Sequence, residues 1–155
     1  MLLVVRHAQA QSRSEWESDD RDRPLTGRGR MQSDQLADRL LELKPVRILS
    51  SPYVRCVDTV RPLADRAAVP VEEEVRLGEG YGAQALGLAR SLSQSDDVVV
   101  LCSHGDVIPE LLAAAANEDR VDLGPAPQVE KASVWVLHGT GRFTSAEYIK
   151  PPKGR

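Results

Sequence analysis

The feature that most constrains the fold of this chain is its opening stretch, from Leu2 to Ala8. It begins with four apolar residues, two leucines and two valines, which predict a short buried strand. Arg6 and His7 follow directly, at the carboxyl end of that strand. Open α/β sheets bind their ligands in the crevice outside the carboxyl ends of the strands. An isolated Arg-His pair more often ends a strand with the histidine facing solvent. The other segments of the chain are needed to distinguish that interpretation from a functional site.

Strand-like and helix-like segments alternate after this stretch. Further strands are predicted at 46–49, 70–75 and 97–101. Helices are predicted at 27–43, 54–67 and 83–92, and from residue 105 or 106 to 116. Thr26 is the expected N-cap of the first helix, and Pro62 is expected to break or kink the second.

Two further segments, 132–137 and 143–149, predict a closing β-hairpin. The alternation before them is typical of a parallel sheet with helices on both faces. The expected architecture is therefore a three-layer α/β/α sandwich, with a mostly parallel central sheet and an antiparallel hairpin at its edge. With no repeat or linker, residues 1–155 are expected to form a single domain.

Polar side chains follow three of the predicted strands. Arg6 and His7 come after the first, Arg55 after the second, and His104 after the strand at 97–101. Because the carboxyl ends of parallel strands share one edge of a sheet, these side chains are expected to converge. They would form an anion site, and a phosphoryl group fits best because a guanidinium matches its oxygens bidentately. Neutral imidazole is also a competent nucleophile.

Composition excludes several classes of partner. The net charge is −3, with acidic and basic residues interspersed, which argues against a nucleic-acid-binding surface. No apolar run is long enough for a signal peptide or a membrane span. The two cysteines, Cys56 and Cys102, are isolated and do not make a disulfide framework. The expected compartment is a reducing cytoplasm.

Spacing excludes two other kinds of catalytic site. A cysteine phosphatase needs an arginine at a fixed offset from its nucleophile, and neither Cys56 nor Cys102 has one there. A zinc site needs clustered ligands, whereas the three histidines stand apart without HExxH spacing or paired cysteines. No metal or cofactor is therefore expected.

Four segments, in this order, resemble the signature motifs of the histidine phosphatase (phosphoglycerate-mutase-like) superfamily. The first is the opening stretch, in which Ala8 stands in place of the glycine in the family's Arg-His-Gly motif. The others are Arg23 to Thr26 with Gly29 and Gln32, Ser50 to Arg55 with Thr59, and Ser103-His104-Gly105. Together they span residues 2–105, about two-thirds of the chain, and the combination is highly specific.

Within this superfamily, the short chain is most similar to the SixA-type phosphohistidine phosphatases. Asp19-Asp20-Arg21, Arg55-Cys56-Val57 and the segment 107–110 also resemble the phosphatase half of two-domain proteins that join this fold to a Nudix hydrolase. There is no Nudix box in the chain, and a first strand beginning at residue 2 leads us to expect no upstream domain.

The resemblance implies a role for each matching residue. His7 would attack phosphorus and form a transient phosphohistidine, which water would hydrolyse. Arg6 and Arg55 would hold the phosphoryl oxygens. His104 would donate a hydrogen bond to the same group, and the backbone N–H of Gly105, at the expected helix start, would add another donor.

The general acid is a separate question. The family usually takes a carboxylate from the segment after the third strand, where Glu79 is best placed; Glu74 and Asp106 are the alternatives. The alternative interpretation of Glu79, an exposed loop glutamate without a catalytic role, is about equally well supported by the sequence. A positioned acid contributes roughly 10²–10⁴-fold to such a reaction.

The other conspicuous residues are interpreted structurally. Ser51 is expected to cap a helix, and Arg23 to form a surface ion pair in its acidic neighbourhood. Cys102 is expected in the core and His138 in an exposed turn. The basic tail, 150–155, is expected to fray.

The substrate is less constrained than the chemistry. Between Glu79 and the strand at 97–101 there is room for one helix, whereas the mutase branch inserts a lid there, so we expect an open pocket. An open pocket suits phosphohistidine on a protein. It also suits a phosphorylated small molecule such as a nucleotide, and Tyr53, Tyr81 or Trp16 could stack on its base. The alternative from another class is an inactive phosphate-binding scaffold.

Overall fold

In the computed structural model, which describes residues 1–153, six strands and four α-helices alternate along the chain. The strands are β1 (Leu2–Arg6), β2 (Arg47–Ser50), β3 (Val71–Glu73), β4 (Val99–Ser103), β5 (Val134–His138) and β6 (Ser145–Ile149). The α-helices are α1 (Gly27–Leu41), α2 (Val54–Ala67), α3 (Gly82–Leu92) and α4 (Ile108–Asn117). Short 3-10 helices lie at Asp20–Asp22 and Val75–Leu77.

These strands form one mixed sheet in the order β3-β2-β4-β1-β5-β6. The first four strands in that order are parallel to one another, while β5 is antiparallel to both β1 and β6. The predicted mostly parallel sheet with an antiparallel edge hairpin is therefore confirmed. Because Arg6 pairs in register with Ser103, the carboxyl ends of β1 and β4 lie side by side.

Each face of the sheet is covered by two helices. Leu3 and Val5 point to the face that packs against α1 and α2. Leu2 and Val4 point to the opposite face, which packs against α3 and α4. This alternation places apolar side chains of one strand in both cores, and the expected three-layer α/β/α architecture is confirmed.

Helix α1 begins where its sequence predicts. The Gly29 N–H donates a hydrogen bond to Thr26 Oγ1 at 3.0 Å, so Thr26 is the N-cap. A Cβ atom at Gly29 would lie 2.0 Å from the carbonyl oxygen of Gln9, and glycine is therefore needed for this close approach. The Gln9 N–H also donates to Gln32 Oε1 at 3.0 Å. These contacts hold the chain that follows His7 against α1.

Helix α2 continues through Pro62, so a break at this proline is wrong. Proline leaves the carbonyl four residues earlier, that of Asp58, without its helical donor. Pro62 and Asp58 both line a groove open to solvent, where water can bind that carbonyl. Val60 and Leu63 are buried on either side of the proline, and their packing keeps the helix continuous.

Most strand and helix boundaries differ from the expectation by one to three residues, and three of the differences are explained here. Helix α4 begins at Ile108 rather than at 105 or 106, because residues 105–107 form a turn in which the Val107 N–H donates to the His104 carbonyl. His138 is the last residue of β5 rather than part of a turn, and its Nε2 lies 3.0 Å from Glu147 Oε2. Strand β6 begins at residue 145 rather than 143.

The chain end is more ordered than its composition suggests. Arg39 donates to the Lys150 carbonyl at 2.9 Å, and Pro152 is buried. The expected fraying of the tail is therefore wrong for residues 150–153, while Gly154 and Arg155 lie outside the described residues. Within residues 1–153, no helix has the length and apolar character needed to cross a membrane.

Candidate active site

The predicted polar side chains meet at the carboxyl ends of β1, β2 and β4. Arg6 ends β1, His104 follows β4, and Arg55 lies in the first turn of α2, just after β2. The His7 and His104 rings are 5.6 Å apart between centroids. A cavity of about 840 Å³, here called the histidine cavity, is lined by these and other groups. Its lining includes Arg6, His7, Glu79, His104, Gly105 and Asp106, and further along Gln11, Ser12, Arg13, Arg23 and Lys131.

His7 has the tautomer that a nucleophile needs. Its Nδ1 lies 2.8 Å from the Ala8 carbonyl oxygen, which can only accept, so Nδ1 carries the hydrogen and Nε2 keeps its lone pair. Burial lowers the pKa of His7 to about 3, against the opposing hydrogen bond to Ala8, and the charge of Arg55 adds to the lowering. The ring is therefore neutral at physiological pH.

The backbone next to His7 is tied to α2. The Ala8 N–H donates to Thr59 Oγ1 at 2.9 Å, and the Thr59 hydroxyl donates to the Arg55 carbonyl at 2.6 Å. The methyl group of Ala8 packs with Leu25 and Ala132. Alanine in place of the family's glycine is thus accommodated in a small apolar cluster, as expected.

Arg6 lies across the floor of the cavity against Gly105. One of its terminal nitrogens donates to the Val129 carbonyl at 2.7 Å, while its buried Nε has no partner among the described residues. A Cβ atom at residue 105 would stand 2.9 Å from the Arg6 guanidinium carbon. Glycine therefore lets the guanidinium lie close to the chain. Gly105 was expected at the start of a helix, where its N–H would be a free donor. It lies instead in the turn before α4, so this part of the prediction is wrong.

Arg55 is fully buried, and its guanidinium is occupied by two carboxylates. Its Nη2 lies 3.2 Å from Asp20 Oδ2 and 2.7 Å from Glu79 Oε1. The Tyr53 ring supports the other side, with its centroid 4.8 Å from the guanidinium carbon. A phosphoryl group that binds Arg55 Nη2 must replace at least one of these carboxylates, whereas the buried Nε has no partner among the described residues.

Glu79 is placed where the sequence suggested. Besides Arg55, its Oε1 lies 3.3 Å from Arg13 Nη2 and 3.6 Å from His104 Nδ1. The two alternatives differ from it. Glu74 caps the 3-10 helix at Val75–Leu77, and its carboxylate pairs with Arg76 at 2.6 Å. Asp106 lines the cavity, but its Oδ2 accepts a hydrogen bond from the Gly80 N–H.

His104 is oriented by a serine that was expected only to cap a helix. Ser51 Oγ lies 2.8 Å from His104 Nε2 and accepts a hydrogen bond from the Tyr53 N–H at 3.3 Å. The hydroxyl keeps its hydrogen and a second lone pair, so it can donate to Nε2. In that arrangement Nδ1 carries the hydrogen on the side of Glu79, whose Oε1 lies 3.6 Å away and can only accept. Tyr53 packs edge-on against the ring at 4.7 Å. Ser51 therefore contacts the pocket histidine. Its expected role as a helix cap is wrong, because the N-cap of α2 is Tyr53 and no side chain makes a capping hydrogen bond there.

The cysteines lie beneath the site rather than in it. Cys56 Sγ is 3.5 Å from His104 Nε2, and Cys56 and Cys102 are both fully buried and unpaired. The expected core position of Cys102 is confirmed. A substrate in the cavity cannot reach either sulfur.

Sequence reasoning undervalued Arg23 and missed three other charged residues. Arg23 does pair with Asp20, at 2.9 Å, but it is only 7% exposed and lines the cavity instead of lying on the surface. Arg13 and Lys131 were not singled out, and Asp20 was named only within a family-like segment, without a role in the site. Lys131 could have been found from the hairpin, since the start of an antiparallel neighbour of β1 reaches the same edge as the carboxyl end of β1.

The charges around Asp20 favour its ionised form. The Arg23 hydrogen bond and the charge of Arg55 lower the pKa of the Asp20 carboxyl, although burial acts in the opposite direction. Among residues 1–153, no group of three or more His, Cys, Asp and Glu side chains could hold a metal ion. The structure thus brings two histidines and two arginines together at one edge of the sheet. Arg6, His7 and His104 line the cavity, whereas the fully buried Arg55 is not part of its lining.

The sequence of the chain matches the model of a known family. Residues 2–88, more than half of the chain, match the model described as "Histidine phosphatase superfamily (branch 1)". The chain therefore belongs to the histidine phosphatase superfamily, which confirms the expected family.

Individual relatives agree with this assignment. The 8-oxo-(d)GTP phosphatase of Mycolicibacterium smegmatis is 33% identical over 159 residues, covering 97% of this chain and 48% of the relative. The chain thus spans about half the length of that curated relative.

Solved structures show the same fold at low identity. The protein histidine phosphatase SixA complexed with tungstate has a TM-score of 0.74 at 20% identity, covering 99% of this chain and 96% of the other. The putative phosphohistidine phosphatase SixA from Agrobacterium tumefaciens has a TM-score of 0.75 at 23% identity, covering 97% of each chain.

Proposed function

We propose that this protein is a phosphatase that works through a covalent phosphohistidine on His7. The observation that supports this most directly is the neutral imidazole whose Nδ1–H is held by Ala8, leaving Nε2 free in the cavity. Membership in the histidine phosphatase superfamily supports the same reaction.

The reaction has two steps. First, the Nε2 lone pair of His7 attacks phosphorus, an N–P bond forms, and the bond to the leaving-group oxygen or nitrogen breaks. Then water attacks phosphorus, the N–P bond breaks, and inorganic phosphate leaves with His7 neutral again. Arg6, Arg55 and the Nδ1–H of His104 hold the phosphoryl oxygens, where fixed donors stabilise the charge of the transition state.

Glu79 is our candidate for the general acid. A bound phosphoryl group takes over the Arg55 donors that the Glu79 carboxylate now accepts at 2.7 Å. Displaced beside that dianion, Glu79 binds a proton and delivers it to the departing atom. Its contacts with Arg55 and with His104 at 3.6 Å support this role over Glu74, which pairs with Arg76.

The substrate is either phosphohistidine on a protein or a phosphorylated small molecule. Helix α3 (Gly82–Leu92) is the one helix between the Glu79 loop and β4, which precedes His104. This short segment leaves no room for an inserted lid, so the cavity can accept a phosphoryl group on a protein surface. The curated relative named as an 8-oxo-(d)GTP phosphatase favours a nucleotide as the second candidate. The unpaired buried cysteines support a reducing cytoplasm as the compartment.

The test is turnover of p-nitrophenyl phosphate by the wild type and by His7→Ala, combined with acid-labile, alkali-stable phosphate trapped on the protein. We expect turnover and trapping in the wild type, and neither above background in His7→Ala. Turnover that survives the substitution would refute the mechanism. A folded wild type that hydrolyses neither phosphate esters nor phosphohistidine would instead indicate a phosphate-binding scaffold.

A further inference from the structure

The histidine cavity is larger than one phosphoryl group requires. Its volume of about 840 Å³ lies within the range of roughly 300–1,000 Å³ typical of pockets for whole small molecules. Beyond Arg6 and the two histidines, the lining continues to Arg13, Arg23 and Lys131. The lining therefore carries four cationic side chains against two carboxylates, those of Glu79 and Asp106.

Lys131 is fixed beside the nucleophile by the backbone. The N–H of the next residue, Ala132, donates to the carbonyl oxygens of both Arg6 and His7, at 3.1 Å each. This pairing ties the start of β5 to the end of β1. Lys131, which is exposed to solvent, therefore lines the cavity next to the end of β1.

The charge of Lys131 has no internal counterpart. Within residues 1–153, no carboxylate lies within salt-bridge distance of its ammonium group, whereas Arg13, Arg23 and Arg55 all pair with Asp20. Burial lowers the pKa of Lys131, and the charge of Arg6 is the largest of the four arginine charges that add to this effect. A cation surrounded by cations is stabilised by a bound anion.

The two arginines nearby are held in place by their own contacts. Arg23 donates to Asp20 Oδ1 at 2.9 Å and to the Gln11 carbonyl at 2.6 Å. Arg13 spans the rim between Asp20, at 3.6 Å, and Glu79, at 3.3 Å. Both keep their positive charge directed at the cavity that Lys131 lines.

We propose that Lys131, supported by Arg13 and Arg23, binds a second phosphoryl group, joined by a bridging oxygen to the one that His7 receives. The inference rests on the proposed phosphatase function and narrows its substrates to phosphoanhydrides, such as nucleoside diphosphates or inorganic pyrophosphate. A protein phosphohistidine would place an uncharged imidazole at this position, and Lys131 would then contribute little.

The kinetic test compares ADP, inorganic pyrophosphate and p-nitrophenyl phosphate in the wild type, Lys131→Gln and the exposed control Lys150→Gln. A charge-assisted hydrogen bond is worth about tenfold or more in binding. We expect Lys131→Gln to lower kcat/KM for ADP or pyrophosphate about tenfold more than for p-nitrophenyl phosphate, with no change of that ratio in Lys150→Gln. A loss confined to pyrophosphate identifies an inorganic substrate, and a loss for both identifies recognition of the shared phosphoanhydride.

Two other outcomes would overturn the proposed second phosphoryl site without contradicting the proposed phosphatase function. Equal losses on all three substrates, or a wild type that hydrolyses only p-nitrophenyl phosphate, would do so. Absence of both turnover and trapped phosphohistidine would refute the proposed function itself.

Binding to an inactive variant provides a readout that does not depend on turnover. In the His7→Ala background, calorimetry measures the Kd of pyrophosphate and of inorganic phosphate with and without Lys131→Gln. We expect the Kd of pyrophosphate to rise about tenfold, and that of phosphate by less than about threefold. Equal increases would place Lys131 at the transferred phosphoryl group and overturn the subsite. Unchanged melting temperatures would show that the fold is retained.

Discussion

Ser51→Ala tests how the second pocket histidine is oriented. The hydroxyl lies 2.8 Å from His104 Nε2, and both residues are buried. Removing it leaves a buried ring nitrogen without its donor, which costs roughly 1–3 kcal/mol. The loss also removes the preference for the tautomer whose Nδ1–H faces the phosphoryl group. If about 1.4 kcal/mol of this cost raises the activation free energy, kcat/KM falls about tenfold.

The assay is steady-state hydrolysis of p-nitrophenyl phosphate, with two comparison variants. Ser51→Thr keeps a hydroxyl and is expected to retain most of the activity. Ser33→Ala removes an equally buried serine whose hydroxyl donates only to the Gly29 carbonyl within α1. It is expected to leave kcat/KM unchanged. An activity of Ser51→Ala within about twofold of the wild type would refute the proposed orientation of His104, since the predicted loss is about tenfold.

Three further predictions concern the charges around the reacting centre. Glu79→Gln should slow alkyl phosphates more than aryl ones, because a poor leaving group depends more on the acid; equal effects on the two substrate classes would remove Glu79 from that role. Asp20→Asn should lower the inhibition constant of inorganic phosphate, since it removes one carboxylate that competes for Arg55, and a higher constant would contradict this. Burial lowers the folded-state pKa of His7 to about 3, so the unfolded chain takes up the proton first as pH falls. Stability contributed by neutral His7 is therefore present above about pH 6.5 and lost toward pH 3. In urea titrations, the free energy of unfolding should fall less with decreasing pH in His7→Ala than in His138→Ala. An equal fall in the two variants would refute the lowered pKa of His7.

Much of the fold was predictable because its signals are local. Each buried parallel strand is a short apolar run bounded by polar residues, and each helix shows apolar residues at helical spacing. Thr26 could be recognised as a cap because the capping bond joins residues three apart in the chain. Pro62 shows the limit of this reasoning, since its effect on α2 depends on core packing by Val60 and Leu63, which local propensity does not describe.

The core of the site was also predictable, for a topological reason. Arg6, His7, Arg55 and His104 each follow a strand, and parallel neighbours bring those ends to one edge of the sheet. The position of Glu79 followed from its place after the third strand. Its partners did not, because they include Arg13, which comes from a loop far away in the chain.

The sequence by itself therefore determined the α/β class, the family and the four residues that meet at the sheet edge, since these depend on local patterns and on the fixed geometry of parallel strands. Tertiary structure alone decided what surrounds them. Asp20 reaches Arg55 across 35 residues of chain, and Ser51 reaches His104 across 53. Lys131 reaches the cavity only because β5 pairs antiparallel with β1. Such contacts depend on how loops and strand register place side chains to within a hydrogen-bond length, and no local periodicity specifies that.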